Sequence, residues 1–413
     1  MTTRVLSRSM RAAVVTVWGA IAIAIAACHN GQPTSDRDLP DDSQLAALLG
    51  SGDSGFPLVL EPREFSFPAD HGPHPEYRNE WWYVTGNLET EDQRRFGYEL
   101  TLFRFALTPE SSTSSSGESG WRSNQVFVGH FAVSDVATET FYTAERNSRG
   151  ALGLAGARAT PFRVWLEDWS IAAEGSEAGL WRLRAAEADF SIDLMLQSQK
   201  SAVANGDRGL SRKSADRGNA SYYYSLTRLE SQGSIIAGGL RFDVTGSSWM
   251  DREWGSSALS AQQIGWDWFA LQFNDGRELM YYQLRRVDGS IDPYSSGTLT
   301  DAAGQSRHLT RDAVQLQVLE EWRNPVGAMY PIRWQLTVPD ADVDVLIVPV
   351  FAEQELQTVV RYWEGAVDII DRSGQGASVG RGYVELTGYA DSGNRAAAGR
   401  SGTARSAASE AAE

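Results

Sequence analysis

An all-β fold of two tandem domains, barrels or sandwiches, is what this sequence predicts, on three observations. Polar and apolar residues alternate with period two in Tyr98-Glu99-Leu100-Thr101-Leu102-Phe103-Arg104, in Leu279-Met280-Tyr281-Tyr282-Gln283-Leu284-Arg285 and in Tyr383-Val384-Glu385-Leu386-Thr387-Gly388-Tyr389. That period sends successive side chains to opposite faces of a sheet. Turn signals recur at short intervals, among them Asn274-Asp275-Gly276 and Asp288-Gly289, as in barrels and sandwiches of short strands. A weak internal repeat splits the chain: Trp81-Trp82-Tyr83 leads through a turn to a strand ending at Arg104, and Trp266-Asp267-Trp268-Phe269 leads through Asn274-Asp275-Gly276 to a strand ending at Arg285. Each half begins with clustered tryptophans and returns as a hairpin, and no long helical period competes.

The segments follow in order. Residues 1–27 carry Arg4, Arg8 and Arg11, then an apolar run from Ala12 to Ala27 broken only by Thr16, and then Cys28, the one cysteine among 413 residues. A positive start, an apolar stretch and small residues before a cysteine read as a lipoprotein signal peptide, with Cys28 as the lipidation site. The run is shorter than the roughly 20 residues a spanning helix needs, and acyl chains at about 0.8 kcal/mol per buried CH₂ would hold the body on a membrane. Residues 28–57 are rich in Gly, Ser and Asp and read as a flexible tether. The first β domain is expected over 58–254 and the second over 255–391, with 392–413 an Ala/Gly/Ser/Arg-rich disordered tail. Within the first domain, 197–218 and 111–120 read as solvated loops.

Net charge of −16 and a pI near 4.9 argue against nucleic acid or an anionic membrane face as partner. His29 after Cys28, in place of aspartate, favours the periplasmic side of the outer membrane in a Gram-negative host. A tether of about thirty residues, at about 5–6 Å × √n, keeps the body within some 30 Å of the bilayer.

Three clusters could carry chemistry. Asp70-His71-Gly72-Pro73-His74 precedes Asn79-Glu80-Trp81-Trp82-Tyr83; Gly72-Pro73 forbids the helix a zinc-binding His-x-x-His pair would use, so no metal is expected, and the imidazoles read as turn caps or cavity-mouth residues. Ser248-Trp249-Met250-Asp251-Arg252-Glu253-Trp254-Gly255 is followed by Gly265-Trp266-Asp267-Trp268. Carboxylates beside indoles can be kept protonated by desolvation, which makes Asp251, Glu253 and Asp267 the candidate catalytic groups. The same residues can equally brace a domain junction as an Asp/Glu network on Arg252. Asn219-Ala220-Ser221-Tyr222-Tyr223-Tyr224-Ser225, with Lys213 upstream, and Tyr362-Trp363-Glu364-Gly365 offer tyrosine hydroxyls to a cavity or fill a core. The chain holds no Gly-x-Ser-x-Gly elbow, Walker A sequence or dinucleotide-binding glycine pattern, and no cofactor is expected.

These strings, with Phe67-Pro68-Ala69-Asp70-His71, Phe96-Gly97-Tyr98, Phe103-Arg104, His130-Phe131-Ala132 and Gly382-Tyr383-Val384-Glu385, resemble the AttH and carotenoid hydratase family over residues 58 to 390. The resemblance implies two lipocalin-like β-barrel domains with an apolar ligand between them. It also implies membership of a group often labelled secreted hydrolases, and neighbouring ABC-transporter components as partners in an envelope pathway. The ligand-binding residues it suggests are His71, Glu80, Trp82, Tyr83, Arg104, His130, Tyr223, Trp249, Arg252, Trp254, Trp266, Trp268 and Tyr282. The hydratase branch carries a histidine where this chain has Arg252, and a permanently charged guanidinium cannot serve as the acid. The AttH side is therefore the nearer match. The expected function is binding of a hydrophobic or amphiphilic small molecule by a membrane-anchored lipoprotein; the alternative is a hydratase-like lyase, hydrolase or isomerase of the same fold.

Overall fold

In a computed structural model, residues 55–109, 123–175, 179–257, 259–358, 360–372 and 376–390 are described. The signal peptide with Cys28, the tether up to residue 54, the 111–120 loop and the 392–413 tail lie outside them. Among the described residues there is no α-helix, only short 3-10 turns at Ala69–His71, Arg311–Ala313 and Pro339–Ala341.

The first sheet opens with four long strands, β1 (Asn79–Glu89), β2 (Arg95–Ala106), β3 (Gln125–Asp135) and β4 (Thr140–Arg149). Short strands follow: β5 (Ala155–Ala159), β6 (Phe162–Leu166), β7 (Trp169–Ala173), β8 (Leu180–Ala186) and β9 (Ser191–Ser198). The segment expected to be a solvated loop instead folds back as β10 (Val203–Ala204) and β11 (Leu210–Arg212), both paired with β12. Its apolar Val203 and Leu210 are buried, which the surrounding Ser, Arg and Gly residues concealed. The longest hairpin, β12 (Ala220–Ala237) and β13 (Leu240–Gly255), turns at Gly238-Gly239, both at positive φ, as a tight two-residue turn requires.

The strand order is β4-β3-β2-β1-β13-β12-β9-β8-β7-β6-β5. The sheet curls until its ends meet. Arg146 on β4 reaches Glu167 and Asp168 between β6 and β7, and Glu187 beyond β8, with its guanidinium 4.6 Å from the Trp169 ring centre. Trp82, Leu100, Leu102, Phe131, Trp169, Leu194 and Trp254 fill the interior.

The second sheet comprises β14 (Gln263–Phe273), β15 (Glu278–Arg286), β16 (Ser296–Thr300), β17 (Ser306–Thr310), β18 (Gln315–Arg323), β19 (Met329–Val338), β20 (Val343–Pro349), β21 (Glu355–Gln357), β22 (Arg361–Asp371) and β23 (Ser378–Leu386). Their order is β17-β16-β15-β14-β23-β22-β20-β19-β18, with β21 on β22. Phe269, Leu271, Tyr281, Trp334, Ile347, Trp363 and Val384 fill this second interior. The two tryptophan-led hairpins of the repeat are β1–β2 and β14–β15. In each sheet the first strand pairs with both the second strand and the last, β1 with β13 and β14 with β23.

The sheets pack on each other through the outer faces of these central strands. Even-numbered residues of β1 (Trp82, Val84, Leu88) point into the first barrel, and odd-numbered Tyr83 joins Tyr223, Trp249, Trp268, Met280 and Tyr383 in an apolar layer between sheets. At Gly97 the approach is so close that an added Cβ would stand 2.6 Å from the Cβ of Ala366. Polar stitches fix the seam: Asn87 Nδ2 donates to Gly382 O at 3.0 Å, Gln272 Nε2 to Thr227 O at 2.7 Å, and Arg95 bonds both oxygens of Asp368.

Candidate functional site

Strand β13 sorts the second cluster by parity. Met250, Arg252 and Trp254 face the first barrel, while Trp249, Asp251 and Glu253 face the second sheet. On the barrel side Arg252 and Arg104 clamp Glu80, all three fully buried. Arg252 also donates to Gly72 O at 2.6 Å and lies 4.0 Å from the Trp82 ring centre. Arg104 donates to the carbonyls of His74 and Tyr77 at 3.0 and 2.8 Å, and His74 stacks on Trp254 at 3.8 Å while bonding Asp70. Burial alone would raise the Glu80 carboxyl, but the two guanidiniums outweigh it and hold Glu80 far below the usual carboxylate range. It stays ionised, held by both guanidiniums.

The opposite face lines a cavity of about 340 Å³ between the sheets. Its walls are rich in rings, including Trp81, Phe103 and Phe105 from the first sheet and Trp266, Trp268 and Tyr282 from the second. Asp251 sits in this apolar setting and accepts from Tyr223 Oη, from Ser225 Oγ at 2.5 Å and from Trp249 Nε1 at 2.7 Å. Trp268 Nε1 donates to Tyr223 Oη at 3.1 Å and so holds that hydroxyl in place. Burial pushes the Asp251 carboxyl up to about 7 against the pull of these donors. A group that is half protonated at neutral pH can give or take a proton.

Beside it, Glu253 bonds Ser221 Oγ and Lys213 Nζ, the latter at 3.0 Å. Burial would lower the Lys213 ammonium, but Glu253 more than offsets this and leaves it raised and charged. Lys213 lies 4.5 Å from the Tyr282 ring centre and bonds Ser211 Oγ, which meets Tyr282 Oη at 3.1 Å. On the second sheet's wall Glu385 accepts from Trp266 Nε1 at 2.7 Å, and burial pushes it too up to about 7. His130, bonded to Tyr362 Oη and 3.5 Å from Glu145, closes another side.

A family model described as AttH-like matches residues 58–389 of the sequence. The chain belongs to the AttH-like family. A solved AttH-type protein from Nitrosomonas europaea is 33% identical, with a TM-score of 0.72, and the match covers 81% of this chain and 99% of that one. Kievitone hydratase from Nectria haematococca shares the fold at 16% identity and a TM-score of 0.59, over 82% of this chain and 95% of that one. No curated protein matches the sequence.

In this AttH-like chain Tyr83, His130, Tyr223, Asp251, Glu253, Trp266, Trp268 and Tyr282 come together around the cavity, with Trp249 behind them on Asp251. Glu80, Trp82, Arg104, Arg252 and Trp254 do not reach it, because they occupy the opposite face of the same strands and form the barrel network. The sequence left open an acidic network on Arg252; the carboxylate that Arg252 holds is Glu80, not its neighbours Asp251 and Glu253, since adjacent residues of a strand point apart. His71 packs inside the first barrel mouth against Trp181 and Tyr224, bonding Tyr224 Oη at 2.7 Å, and burial with Arg252 nearby lowers it to about 4.

Asp267 points into the second barrel, held by Arg285 at 3.0 Å and Tyr389 Oη at 2.9 Å, so it stands away from the catalytic candidates. Lys213 and Tyr362, of the third cluster, line the AttH-like cavity, and so does Glu385, to which the sequence assigned no role. Their signal was available: each of the two strands bearing Tyr362 and Glu385 places polar residues in an otherwise apolar run. Among the described residues no group of three His, Cys, Asp or Glu side chains is placed to hold a metal ion.

Proposed function

We propose that the cavity between the sheets binds a hydrophobic or amphiphilic small molecule. The observation that carries this reading is an aromatic-walled space of about 340 Å³ whose few polar groups converge on Asp251, Glu253 and Lys213. That combination of ring surface and a few oriented polar groups is the usual make-up of a ligand site. In the same proposal acyl groups on Cys28 keep the protein at the periplasmic side of an outer membrane, and the bound molecule passes to or from an ABC-transporter-linked envelope pathway. The sequence of residues 1–28 supports the first half of that statement.

A second reading, catalysis, is favoured by the state of Asp251. A carboxyl poised near neutrality beside four rings suits acid-catalysed hydration or isomerisation of a double bond. In hydration, Asp251 would give its proton to one alkene carbon, the indole and phenol faces would steady the cation on the other, and water would add there and return a proton to the carboxylate. Alkene plus water gives alcohol, with Asp251 restored. Kievitone hydratase, a protein of the same fold, is named for a hydration.

The test is mass spectrometry of small molecules extracted from the full-length protein, paired with tryptophan fluorescence during titration with apolar alcohols. A co-purifying apolar molecule, displaced as the fluorescence changes, supports binding. A protein that returns empty and whose fluorescence no apolar compound alters sinks it. Conversion of the identified molecule by the wild type and not by Asp251→Asn, with binding retained, selects the catalytic reading.

A further inference from the structure

Three glutamates meet where the two sheets touch, Glu99 and Glu364 fully buried and Glu385 partly so, and among the described residues none of them has an ion-pair partner. Glu99 on β2 lies two residues from Gly97, and Glu364 on β22 lies two residues from Ala366, whose Cβ would stand 2.6 Å from a Cβ added at Gly97. Side chains two apart in a strand share a face, so Glu99 and Glu364 enter the same seam. Glu364 stands directly opposite Glu385 in the β22–β23 pair, and Glu385 is the member that lines the cavity. Thr101 lies beside Glu99 and Tyr83 beside Glu364, yet no hydrogen bond of normal geometry reaches the carboxyl oxygens of either glutamate. The Tyr383 hydroxyl, 1% exposed and next to Glu99 and Glu364, reaches the same seam with no hydrogen-bond partner.

Like charges this close and this dry cannot all be ionised, because an unpaired buried charge costs several kcal/mol. Lys213 is already committed to Glu253, and no described cluster is arranged for a metal. Protons are what remains. Burial holds Glu99 and Glu364 well above the usual carboxylate range, and Glu385 near neutrality. The titratable groups acting on Glu385 and its partner include Asp251 and Glu253 on β13, Tyr83 on β1, Tyr362 on β22 and Tyr383 on β23, while of the basic groups lining the same cavity Lys213 is paired with Glu253 and His130 with Tyr362 and Glu145.

We propose that Glu364 and Glu385 share a proton across the β22–β23 pair, with Glu99 a neutral acid behind them, and that this seam is a second polar subsite of the cavity, taking the hydroxyl or carbonyl oxygen of an uncharged ligand and refusing a carboxylate. Glu385 Oε1 already accepts from Trp266 Nε1; with the Glu364 O–H given to Oε2, Oε1 keeps one more site for the ligand, as acceptor toward a hydroxyl when Glu385 is ionised and as donor toward a carbonyl when it is protonated. A ligand carboxylate would add one more negative charge at low dielectric beside a group already short of counter-charge. This subsite rests on the reading of the cavity as a ligand site; the shared proton does not.

Infrared spectroscopy of the carboxylic C=O stretch separates the two. In full-length Asp251→Asn protein, the protonated-carboxyl absorption persists at neutral pH and falls in a step near pH 7; Asp251→Asn/Glu385→Gln lacks that step, and Glu99→Gln, of unchanged shape, loses part of the absorption that survives above it. Absence of protonated-carboxyl absorption at neutral pH from the Asp251→Asn protein overturns the shared proton without any double variant having to fold. Tryptophan fluorescence then compares dodecanol with dodecanoate, the carboxylate binding at least about tenfold more weakly and the gap narrowing in Glu385→Gln. Equal binding of the two overturns the subsite. Failure of both to bind, with the infrared step intact, overturns the ligand reading and the subsite together while the shared proton stands.

Discussion

The two faces of β13 carry charge in opposite ways. Toward the first barrel, Arg252 and Arg104 share Glu80 and meet ring faces and backbone carbonyls, so the carboxylate is matched by counter-charge even though Arg252 Nε, Arg104 Nη1 and Trp254 Nε1 find no hydrogen-bond partner. Toward the second sheet, Asp251 and, across the cavity, Glu385 have hydrogen-bond donors but no full counter-charge, and both are driven toward neutrality. Asp251 is nearly as buried as the Glu80 brace. What differs is compensation, and it separates a brace from a reactive site: the brace keeps its charges at every ordinary pH, whereas the cavity side can exchange protons.

The contrast can be broken most forcefully at the brace. Glu80→Gln leaves two fully buried guanidiniums short of their shared anion, and an expected loss of about 3–5 kcal/mol is read by chemical denaturation of the full-length protein; a loss under about 1 kcal/mol would mean the shared anion does not hold the network together. Next comes the seam. Gly97→Val forces a branched side chain against Ala366 and should cost about 1–3 kcal/mol, while water admitted to the seam lowers the Glu99 titration seen by infrared. An unaltered Glu99 would show that sheet contact is not what keeps that carboxyl neutral.

On the cavity face the sign is different. The native Asp251 carboxyl titrates at about 7 against an ordinary 3.8, so between those values the folded chain binds more protons than the unfolded one. Its contribution to stability is fully present below about pH 4 and is lost as pH rises through about 7, with a slope of at most about 1.4 kcal/mol per pH unit. Asp251→Asn removes that dependence and becomes the more stable form, relative to wild type, as pH rises. Parallel stability curves for the two proteins would place Asp251 in an ordinary solvated setting. The smallest effect belongs to the rim: Arg95→Ala breaks a bidentate pair with Asp368 whose side chains are each 25% exposed, for about 0.5–1 kcal/mol that added salt erodes.

Much of the fold was legible because alternation and turn residues report sheet directly: the hairpins led by Trp81 and Trp266 stand at the centre of the two sheets. The site was legible only in part. Parity within Ser248 to Gly255 already separates Asp251 and Glu253 from Arg252, and parity in Trp266-Asp267-Trp268 separates Asp267 from both tryptophans. Which parity faces the cavity cannot be read from alternation, because β1, β13 and β14 are buried on both faces. Glu99, Glu364 and Glu385 escaped for the same reason. A carboxylate in a strand reads as solvent-facing until a second sheet is known to cover it. Ser211 was hidden by its polar surroundings, and Lys213 could be named but not placed, because that segment reads as loop although two short strands carry it to the cavity wall.

The pairing of first strand with last has a kinetic consequence. Asn79 on β1 meets Gly255 on β13, a separation of 255 − 79 = 176 residues, so the first barrel cannot close until nearly all of its chain is available, and such distant pairings slow folding. Until then β1 and β2 expose on both sides the aromatic faces that later fill a core and a ligand site. Because β23, which bears Glu385, is also the strand that completes the second sheet against β14, the cavity is among the last features to form. A chain stopped short of β23 would hold one finished barrel with its reactive face open to whatever apolar surface it meets.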